Sequence, residues 1–174
     1  MNRRKLLAIG AGTLGLGAVS AHAQQIPRSG EFEITTPAGP LKLGQYKGKT
    51  VVFALIRSSC SHCQEVTQIL RSLQQEFGPK VQMVACDFVE DGPVVVPRFI
   101  DQFKPGFPVG WTSVEKAFLY LQLSMMTPGT VPKLVFIDRK GLIRAQYDGS
   151  DPIINTNVSR RDKIKAKILE VAAL

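Results

Sequence analysis

The chain has 174 residues, of which 44% are hydrophobic, with three cysteines and a formal net charge of +8 at neutral pH. This length allows about one domain with its own apolar core, and three cysteines are too few for a small fold held together by disulfides. The basic residues are spread out, and their densest group, residues 159–163, includes an acid, so we expect no nucleic-acid binding.

Residues 1–23 are predicted to be an export signal peptide. A basic head, Asn2-Arg3-Arg4-Lys5, precedes an uncharged, glycine-rich apolar run, and Ala21-His22-Ala23 offers small residues for an export peptidase. The run is short for a membrane-spanning helix, so we expect cleavage, by the Sec or twin-arginine route, without stable membrane insertion; a retained anchor is the alternative. Removing 23 of the 174 residues and their three positive charges leaves one domain, residues 24–174, with a net charge of +5.

The first half of this domain alternates between strand-like and helix-like patterns. Residues 31–43 predict a hairpin-like N-terminal extension around Pro37-Ala38-Gly39-Pro40. Residues 50–56 (TVVFALI) and 81–88 (VQMVACDF) predict strands buried on both faces. A helix is predicted between them, ended by Gly78-Pro79. Its apolar stripe consists of Cys63, Val66, Leu70, Leu73 and Phe77.

The middle of the domain is predicted to be a mainly helical insert. Asp91-Gly92-Pro93 is expected to break the chain before a short helix over residues 97–103. An irregular segment follows, with a brief strand at residues 107–109, and then a helix over residues 113–125.

The last part predicts a loop over residues 127–131, a strand at 134–137, a tight turn, a partner strand at 142–147 and a final helix. Ser159 and Asp162 have capping-box spacing at the start of that helix. Its apolar stripe consists of Ile164, Ile168 and Val171. A βαβ unit, a hairpin and a closing helix predict an α/β sandwich with a mixed central sheet flanked by helices.

Cys60-Ser61-His62-Cys63 lies at the start of the first predicted helix and allows several interpretations. A disulfide in so short a loop would stabilise the fold by about 2 kcal/mol at most, which disfavours a structural staple. Structural zinc takes four ligands, usually as two separated pairs, and after signal removal His62 is the only histidine. We therefore predict no metal and no cofactor, although copper delivery through the two thiolates stays open.

The same spacing favours a reactive dithiol. A thiolate at Cys60 would be stabilised by the unsatisfied N–H groups and the dipole of the helix N-terminus. An imidazolium at His62 would add to this and tune the acidity of the thiol; the alternative is an exposed His62 without a role. Cys63 falls on the apolar stripe and should be covered. We expect Cys60 to be the nucleophile and Cys63 to resolve the mixed disulfide.

The CSHC motif after a buried strand, the segment TVPKLVFIDRKGLI (residues 130–143) and a terminal helix resemble the thioredoxin superfamily, most closely its exported TlpA/ResA-like branch. The resemblance covers roughly residues 31–174 and implies a thioredoxin-like fold. It also implies thiol–disulfide exchange with protein substrates, a membrane or periplasmic redox partner, and a periplasmic or extracellular location.

The resemblance further implies that the Val131-Pro132 bond is cis and faces the dithiol. Val131 and Pro132 would then be substrate-binding residues, with the Val131 backbone pairing with a substrate chain in β fashion. An ordinary trans proline before a strand is the alternative.

The chain differs from that family pattern at the positions that the resemblance implies control the reactivity of the two cysteines. The residue before the first cysteine, commonly aromatic in the family, is Ser59. The acid that relatives carry six residues before the first cysteine is Ala54, and the acid three residues beyond the second is Val66, with Glu65 one position off. A buried proton acceptor for the second cysteine is therefore not evident, and the histidine favours a fairly oxidising exchanger.

The sequence also allows functions other than thiol–disulfide exchange. A peroxiredoxin-like peroxidase would need Thr three positions before its reactive cysteine, where this chain has Arg57. A copper or haem-delivery protein would use the dithiol as a ligand, and a redox-silent adaptor would not use it. Cys86 is predicted to be a small buried hydrophobe, with a third-thiol relay as the alternative.

Overall fold

The computed structural model describes residues 28–124, 126, 129–156 and 158–174. In this part of the chain the strands are β1 (Arg28–Ser29), β2 (Glu33–Thr36), β3 (Gly39–Lys42), β4 (Thr50–Ile56), β5 (Val81–Asp87), β6 (Val109–Trp111), β7 (Lys133–Ile137) and β8 (Leu142–Tyr147). The helices are α1 (Ser61–Phe77), α2 (Gly92–Phe103), α3 (Val114–Leu121) and α4 (Arg160–Ala172). Short 3₁₀ turns cover Leu43–Tyr46 and Gly78–Lys80. The predicted signal peptide and parts of the predicted 113–125 helix and 127–131 loop lie outside the described residues.

The described strands form one mixed sheet in the order β1-β8-β7-β4-β5-β6-β2-β3. β4, β5 and β6 run parallel to one another, whereas β7 pairs antiparallel with both β4 and β8. The hairpin β2–β3 adds to the outer edge of β6. This arrangement confirms the predicted α/β sandwich with its N-terminal β extension.

Helices cover both faces of the sheet because the central strands are apolar on both sides. Every residue of β4 is buried, as expected from its unbroken apolar sequence. Val52, Ala54 and Ile56 pack in one core cluster with α1, α2 and α4. The intervening residues Val51, Phe53 and Leu55 pack in a second cluster with α3 and the hairpin. Each such buried aliphatic or aromatic side chain stabilises the fold by about 1.5–3 kcal/mol.

None of the described helices is both long and apolar enough to cross a membrane.

The strands and helix next to the CSHC motif agree with the predictions. Strands at Thr50–Ile56 and Leu142–Tyr147 have the predicted bounds. Helix α1 ends at Phe77, where Gly78 takes a positive φ of 58° as its C-cap, a backbone conformation that favours glycine. Of the predicted apolar stripe of α1, Cys63, Val66, Leu70 and Leu73 are buried, whereas Phe77 at its end is half-buried.

The predicted break at Asp91-Gly92-Pro93 is wrong, because α2 begins there instead of at Pro97. Proline is tolerated in the first turn of a helix, where its missing N–H would have no partner. Pro93 occupies such a position, and Pro97 lies inside the helix. The brief strand in the insert is also displaced, from residues 107–109 to Val109–Trp111.

Two helix ends differ from the predictions. Helix α3 ends at Leu121, because Gln122 adopts a left-handed conformation as its C-cap. Ser159 does not form the predicted capping box with Asp162, since its φ is 65° and its side chain makes no capping hydrogen bond. Arg160, the first residue of α4, is instead buried and contacts α1.

Candidate active site

The CSHC motif forms the junction between β4 and α1. Cys60 is the N-cap of α1, with an extended backbone at φ −87° and ψ 118°. Its N–H donates to the Arg57 carbonyl at 3.0 Å, and its own carbonyl accepts the Gln64 N–H at 3.0 Å. The sulfur-bearing residue therefore lies at the positive end of the helix dipole, where a thiolate is stabilised.

As predicted, Cys60 is more exposed than Cys63. Cys60 is half-buried, whereas Cys63 is 0% exposed and lies in the core cluster on the α1 face of the sheet. Both are free thiols. A bulky disulfide substrate can therefore reach only the first sulfur without opening the core.

The buried thiol is held in its protonated form. Burial raises the pKa of Cys63 far above its usual range, against the effect of the Arg57 N–H, which donates to the Cys63 sulfur at 3.5 Å. A hydrogen bond with Cys60 and the negative charge of Asp87 raise this pKa further. Cys63 can act as a nucleophile only if its proton is removed.

Asp87 is a functional candidate that the sequence analysis missed. It is the last residue of β5 and is 0% exposed. Its Oδ2 accepts the Ser58 N–H at 2.8 Å, while its Oδ1 is buried without a hydrogen-bond partner among the described residues. The signal in the sequence is a lone acid in the apolar run VQMVACDF.

The positions at which the family resemblance implies an acid hold Ala54 and Val66, with Glu65 one position from the second. Ala54 and Val66 are fully buried apolar residues. Glu65 points away from the dithiol, with its side chain 63% exposed and its carboxylate 2.9 Å from the Arg160 guanidinium of α4. None of these three positions therefore provides a buried carboxylate beside the dithiol.

His62 lies in the first turn of α1 between the cysteines. The residue is half-buried, and its Nε2 atom is buried with no hydrogen-bond partner in the described part of the chain. Its predicted tuning role stays a prediction.

The loop before β7 contains the predicted cis bond. The Val131–Pro132 peptide is cis, Pro132 is buried and Val131 is half-buried. Val131 and Cys60 both pack against the core cluster on the α1 face. The substrate-binding role predicted for Val131 and Pro132 stays a prediction.

A groove of about 470 Å³ adjoins this loop. It is lined by Arg57, Phe88, Val114, Phe118, Gly129, Thr130, Val131 and Lys133. The Arg57 guanidinium lies 4.7 Å from the centre of the Phe88 ring, a cation–π distance. Arg57, the first residue after β4, and Val131, next to the cis proline, both line this groove.

Cys86 is separated from the dithiol by the sheet. It is fully buried in the cluster on the α3 face, whereas Cys63 belongs to the cluster on the α1 face. Burial raises the pKa of Cys86, and the charge of Asp87 adds to this effect. The prediction that Cys86 is a buried apolar residue is confirmed.

Among the described residues, no three or more His, Cys, Asp or Glu side chains are grouped so that they could hold a metal ion.

Comparison with known proteins identifies the family. The Redoxin family matches residues 21–163. This chain belongs to the Redoxin family. No curated protein sequence matches it. The family and the fold are those of thioredoxin-like oxidoreductases, as the sequence resemblance implied.

Several solved structures share the fold of this Redoxin at low sequence identity. A protein described as the thiol:disulfide interchange protein DsbE from Chlorobium tepidum has 20% identity and a TM-score of 0.68, over 83% of this chain and 96% of that one. A secreted Mycobacterium tuberculosis disulfide oxidoreductase has 18% identity and a TM-score of 0.61, over 83% and 97%. The exposed lipoprotein thioredoxin Etrx1 of Streptococcus pneumoniae has 20% identity and a TM-score of 0.60, over 80% and 98%.

Proposed function

We propose that this Redoxin is an exported thiol–disulfide oxidoreductase that exchanges disulfides with protein substrates through Cys60 and Cys63. The observation that carries the proposal is the asymmetry of the two thiols. Cys60 is accessible at a helix N-terminus, and Cys63 is fully buried one turn later. An exposed sulfur can form a mixed disulfide with a large substrate, and a buried neighbour can resolve it without leaving the core.

The exchange needs no cofactor. In the reducing direction the Cys60 thiolate attacks one sulfur of a substrate disulfide, which breaks that bond and releases the other substrate sulfur as a thiolate. Cys63 then loses its proton and attacks the Cys60 sulfur, which forms the Cys60–Cys63 disulfide and releases the second substrate thiolate. The substrate gains two electrons that the dithiol loses, and the reverse sequence oxidises a substrate dithiol.

We expect the substrate chain to bind in the groove beside Val131. Its walls are mainly apolar, with Phe88 and Phe118 among them, and Arg57, three residues before Cys60, also lines it. An extended chain paired with the Val131 backbone would place alternate side chains into this groove. We expect such a segment to carry an apolar side chain close to its cysteine.

Export is supported by the N-terminal sequence and by the nature of two fold relatives. The basic head, apolar run and Ala21-His22-Ala23 site have the layout of a cleaved signal. Two proteins of the same fold are described as a secreted oxidoreductase and an exposed lipoprotein thioredoxin. A membrane or periplasmic redox partner would then restore the dithiol or the disulfide. Mass analysis of the protein from the periplasmic fraction should show that residues 1–23 have been removed.

Turnover of insulin disulfides tests the exchange reaction. The mature protein should catalyse reduction of insulin by dithiothreitol, and Cys60→Ala should abolish this catalysis. Gln75→Ala, which changes an exposed residue near the C-terminal end of α1, should leave the rate within about twofold. Absence of catalysis in the wild type, together with stoichiometric copper retained after desalting, would favour a metal-delivery function instead.

A further inference from the structure

Asp87 and Cys63 lie on the same face of the sheet. Successive side chains of a strand alternate between faces, and Met83 and Ala85 of β5 pack in the core cluster that contains Cys63. Asp87, two residues beyond Ala85, therefore points to this face, and it pairs in register with Ile56, the last residue of β4. The carboxylate thus lies at the end of the sheet where the CSHC motif begins.

Two consecutive backbone amides connect the carboxylate to the buried thiol. The Arg57 N–H donates to the Cys63 sulfur at 3.5 Å, and the Ser58 N–H donates to Asp87 Oδ2 at 2.8 Å. The turn after β4 therefore binds the thiol and the carboxylate through neighbouring amides, and the charge of Asp87 acts on the thiol, whose pKa burial raises most and this charge raises further.

One carboxylate oxygen is left free to take a proton. Asp87 Oδ1 is buried and has no hydrogen-bond partner among the described residues. A buried polar atom without a partner is costly in a native protein and requires an explanation. The absence of a hydrogen-bond partner at Oδ1 in the described part of the chain is explained if this oxygen accepts a proton from a neighbouring group during the reaction.

We propose that Asp87 is the proton acceptor for Cys63 in the step that resolves the mixed disulfide. This rests on the exchange reaction proposed above. The Cys63 S–H bond breaks and its proton moves to Asp87 Oδ1, while the Cys63 sulfur attacks the Cys60 sulfur. The Cys60–Cys63 bond forms, the bond between Cys60 and the substrate breaks, and the substrate leaves as a thiolate that takes a proton from solvent. In the reverse direction Asp87 returns a proton to Cys63 as the Cys60–Cys63 disulfide opens.

The position of Asp87 explains how the site works without an acid on β4. Ala54 of β4 pairs in register with Ala85 of β5. Asp87 lies two residues beyond Ala85 on β5, and therefore nearer to the CSHC motif than Ala54. Two titratable groups sense the Asp87 charge, Cys63 from α1 and Cys86 from the same strand, β5. Of these two, Cys86 packs on the opposite face, whereas Cys63 lies on the face to which the carboxylate points.

Single-turnover kinetics with Asp87→Asn separate the two steps of exchange. The reduced protein is mixed with a peptide that carries a glutathione disulfide, quenched with acid, and the mixed disulfide is followed by mass spectrometry. In a Cys63→Ala background, Asp87→Asn should leave mixed-disulfide formation at Cys60 within about twofold. With Cys63 present, it should slow resolution by about 10²-fold at pH 7, and the remaining rate should rise about tenfold per pH unit.

Asp101→Asn, which changes an exposed acid of α2, is the matched control and should resolve the mixed disulfide at the wild-type rate. Resolution by Asp87→Asn at the wild-type rate, with the wild-type pH profile, would overturn the proposal while leaving the exchange function intact. A wild type that forms no mixed disulfide would instead overturn the exchange function.

A measurement on the wild type covers the case in which Asp87→Asn does not fold. In reduced protein labelled with ¹³C, the Asp87 carboxyl carbon and the Cys63 β-carbon should shift in a shared titration step. In the oxidised protein, where Cys63 is held in the Cys60–Cys63 disulfide, the chemical shift of the Asp87 carboxyl carbon should no longer show this shared titration step. Independent titrations of the two groups would overturn the proposal.

Discussion

Asp87 and Cys63 share one face of the sheet and accept hydrogen bonds from two consecutive backbone amides, those of Ser58 and Arg57. The chemistry of the buried thiol is therefore controlled from β5 as well as from its own helix. The consequences extend to the reactivity and the stability of the protein.

His62→Gln should lower the Cys60–Cys63 reduction potential at pH 7 by about 10–30 mV, where 30 mV corresponds to about 1.4 kcal/mol. The tuning role proposed for His62 is that of an imidazolium, whose charge would stabilise the Cys60 thiolate and hence the reduced form, so its loss would favour the disulfide. Equilibration with glutathione measures the change, and Gln75→Ala is the control at an exposed position near the other end of α1. An unchanged or higher potential would contradict the tuning role of His62.

Cys86→Ala should keep insulin reduction within about twofold of the wild type. Its sulfur packs on the α3 face of the sheet, opposite Cys63, so it cannot accept the disulfide from the dithiol without unfolding. The substitution should lower the free energy of unfolding by about 1 kcal/mol, because a buried sulfur leaves a small cavity. A loss of turnover beyond tenfold in the folded variant would point to a third-thiol relay.

Glu65→Gln should lower the free energy of unfolding but leave the rate of mixed-disulfide resolution unchanged. The Glu65 carboxylate is largely exposed but pairs with Arg160, whose side chain is only 9% exposed. Removing the partner of a nearly buried guanidinium should lower the free energy of unfolding by about 1 kcal/mol, measured by urea denaturation. Asp101→Asn, which breaks an exposed pair with Lys104, should change it by less than about 0.5 kcal/mol. Slower resolution in Glu65→Gln would mean that Glu65 serves the dithiol.

Asp138→Asn should destabilise the protein at neutral pH and much less in acid. Burial opposes ionisation of Asp138, but N–H groups of Leu142 and Lys140 and the Arg144 guanidinium together hold its pKa below the usual range. A lowered folded-state pKa contributes stability that is fully present above the unfolded value of about 3.9 and is lost as the pH falls through the folded value.

The free energy of unfolding of Asp138→Asn should therefore be about 2 kcal/mol below that of the wild type at pH 7. The difference should shrink as the pH approaches 2. Urea denaturation at both pH values checks this, and an equal difference at the two values would contradict the assignment.

The elements around the motif were predictable because their sequences allow few alternatives. The apolar run at Thr50–Ile56 and the stripe of α1 each fit one regular structure that buries them. The asymmetry of Cys60 and Cys63 followed from the same stripe. The start of α2 was not predictable in the same way, because Gly92-Pro93 is typical both of a chain break and of a first helical turn.

The role of Asp87 could not be assigned from the sequence because it depends on tertiary position. The sequence shows an acid at the end of an apolar run, but not which face it points to or which turn covers it. Both follow only once β4 and β5 pair in register and the turn after β4 supplies the Ser58 N–H. Ser159 illustrates the same limit, since the path of the chain into α4 prevents the capping box that its spacing indicates.

Trapping of a mixed disulfide tests the central asymmetry most directly. Cys63→Ala and Cys60→Ala are each incubated with a peptide that carries a glutathione disulfide, and the adducts are mapped by mass spectrometry. Cys63→Ala should accumulate a near-stoichiometric mixed disulfide at Cys60, because no second thiol resolves it, whereas Cys60→Ala should form little adduct at the buried Cys63. Equal or greater trapping at Cys63 in the folded Cys60→Ala protein would contradict the account.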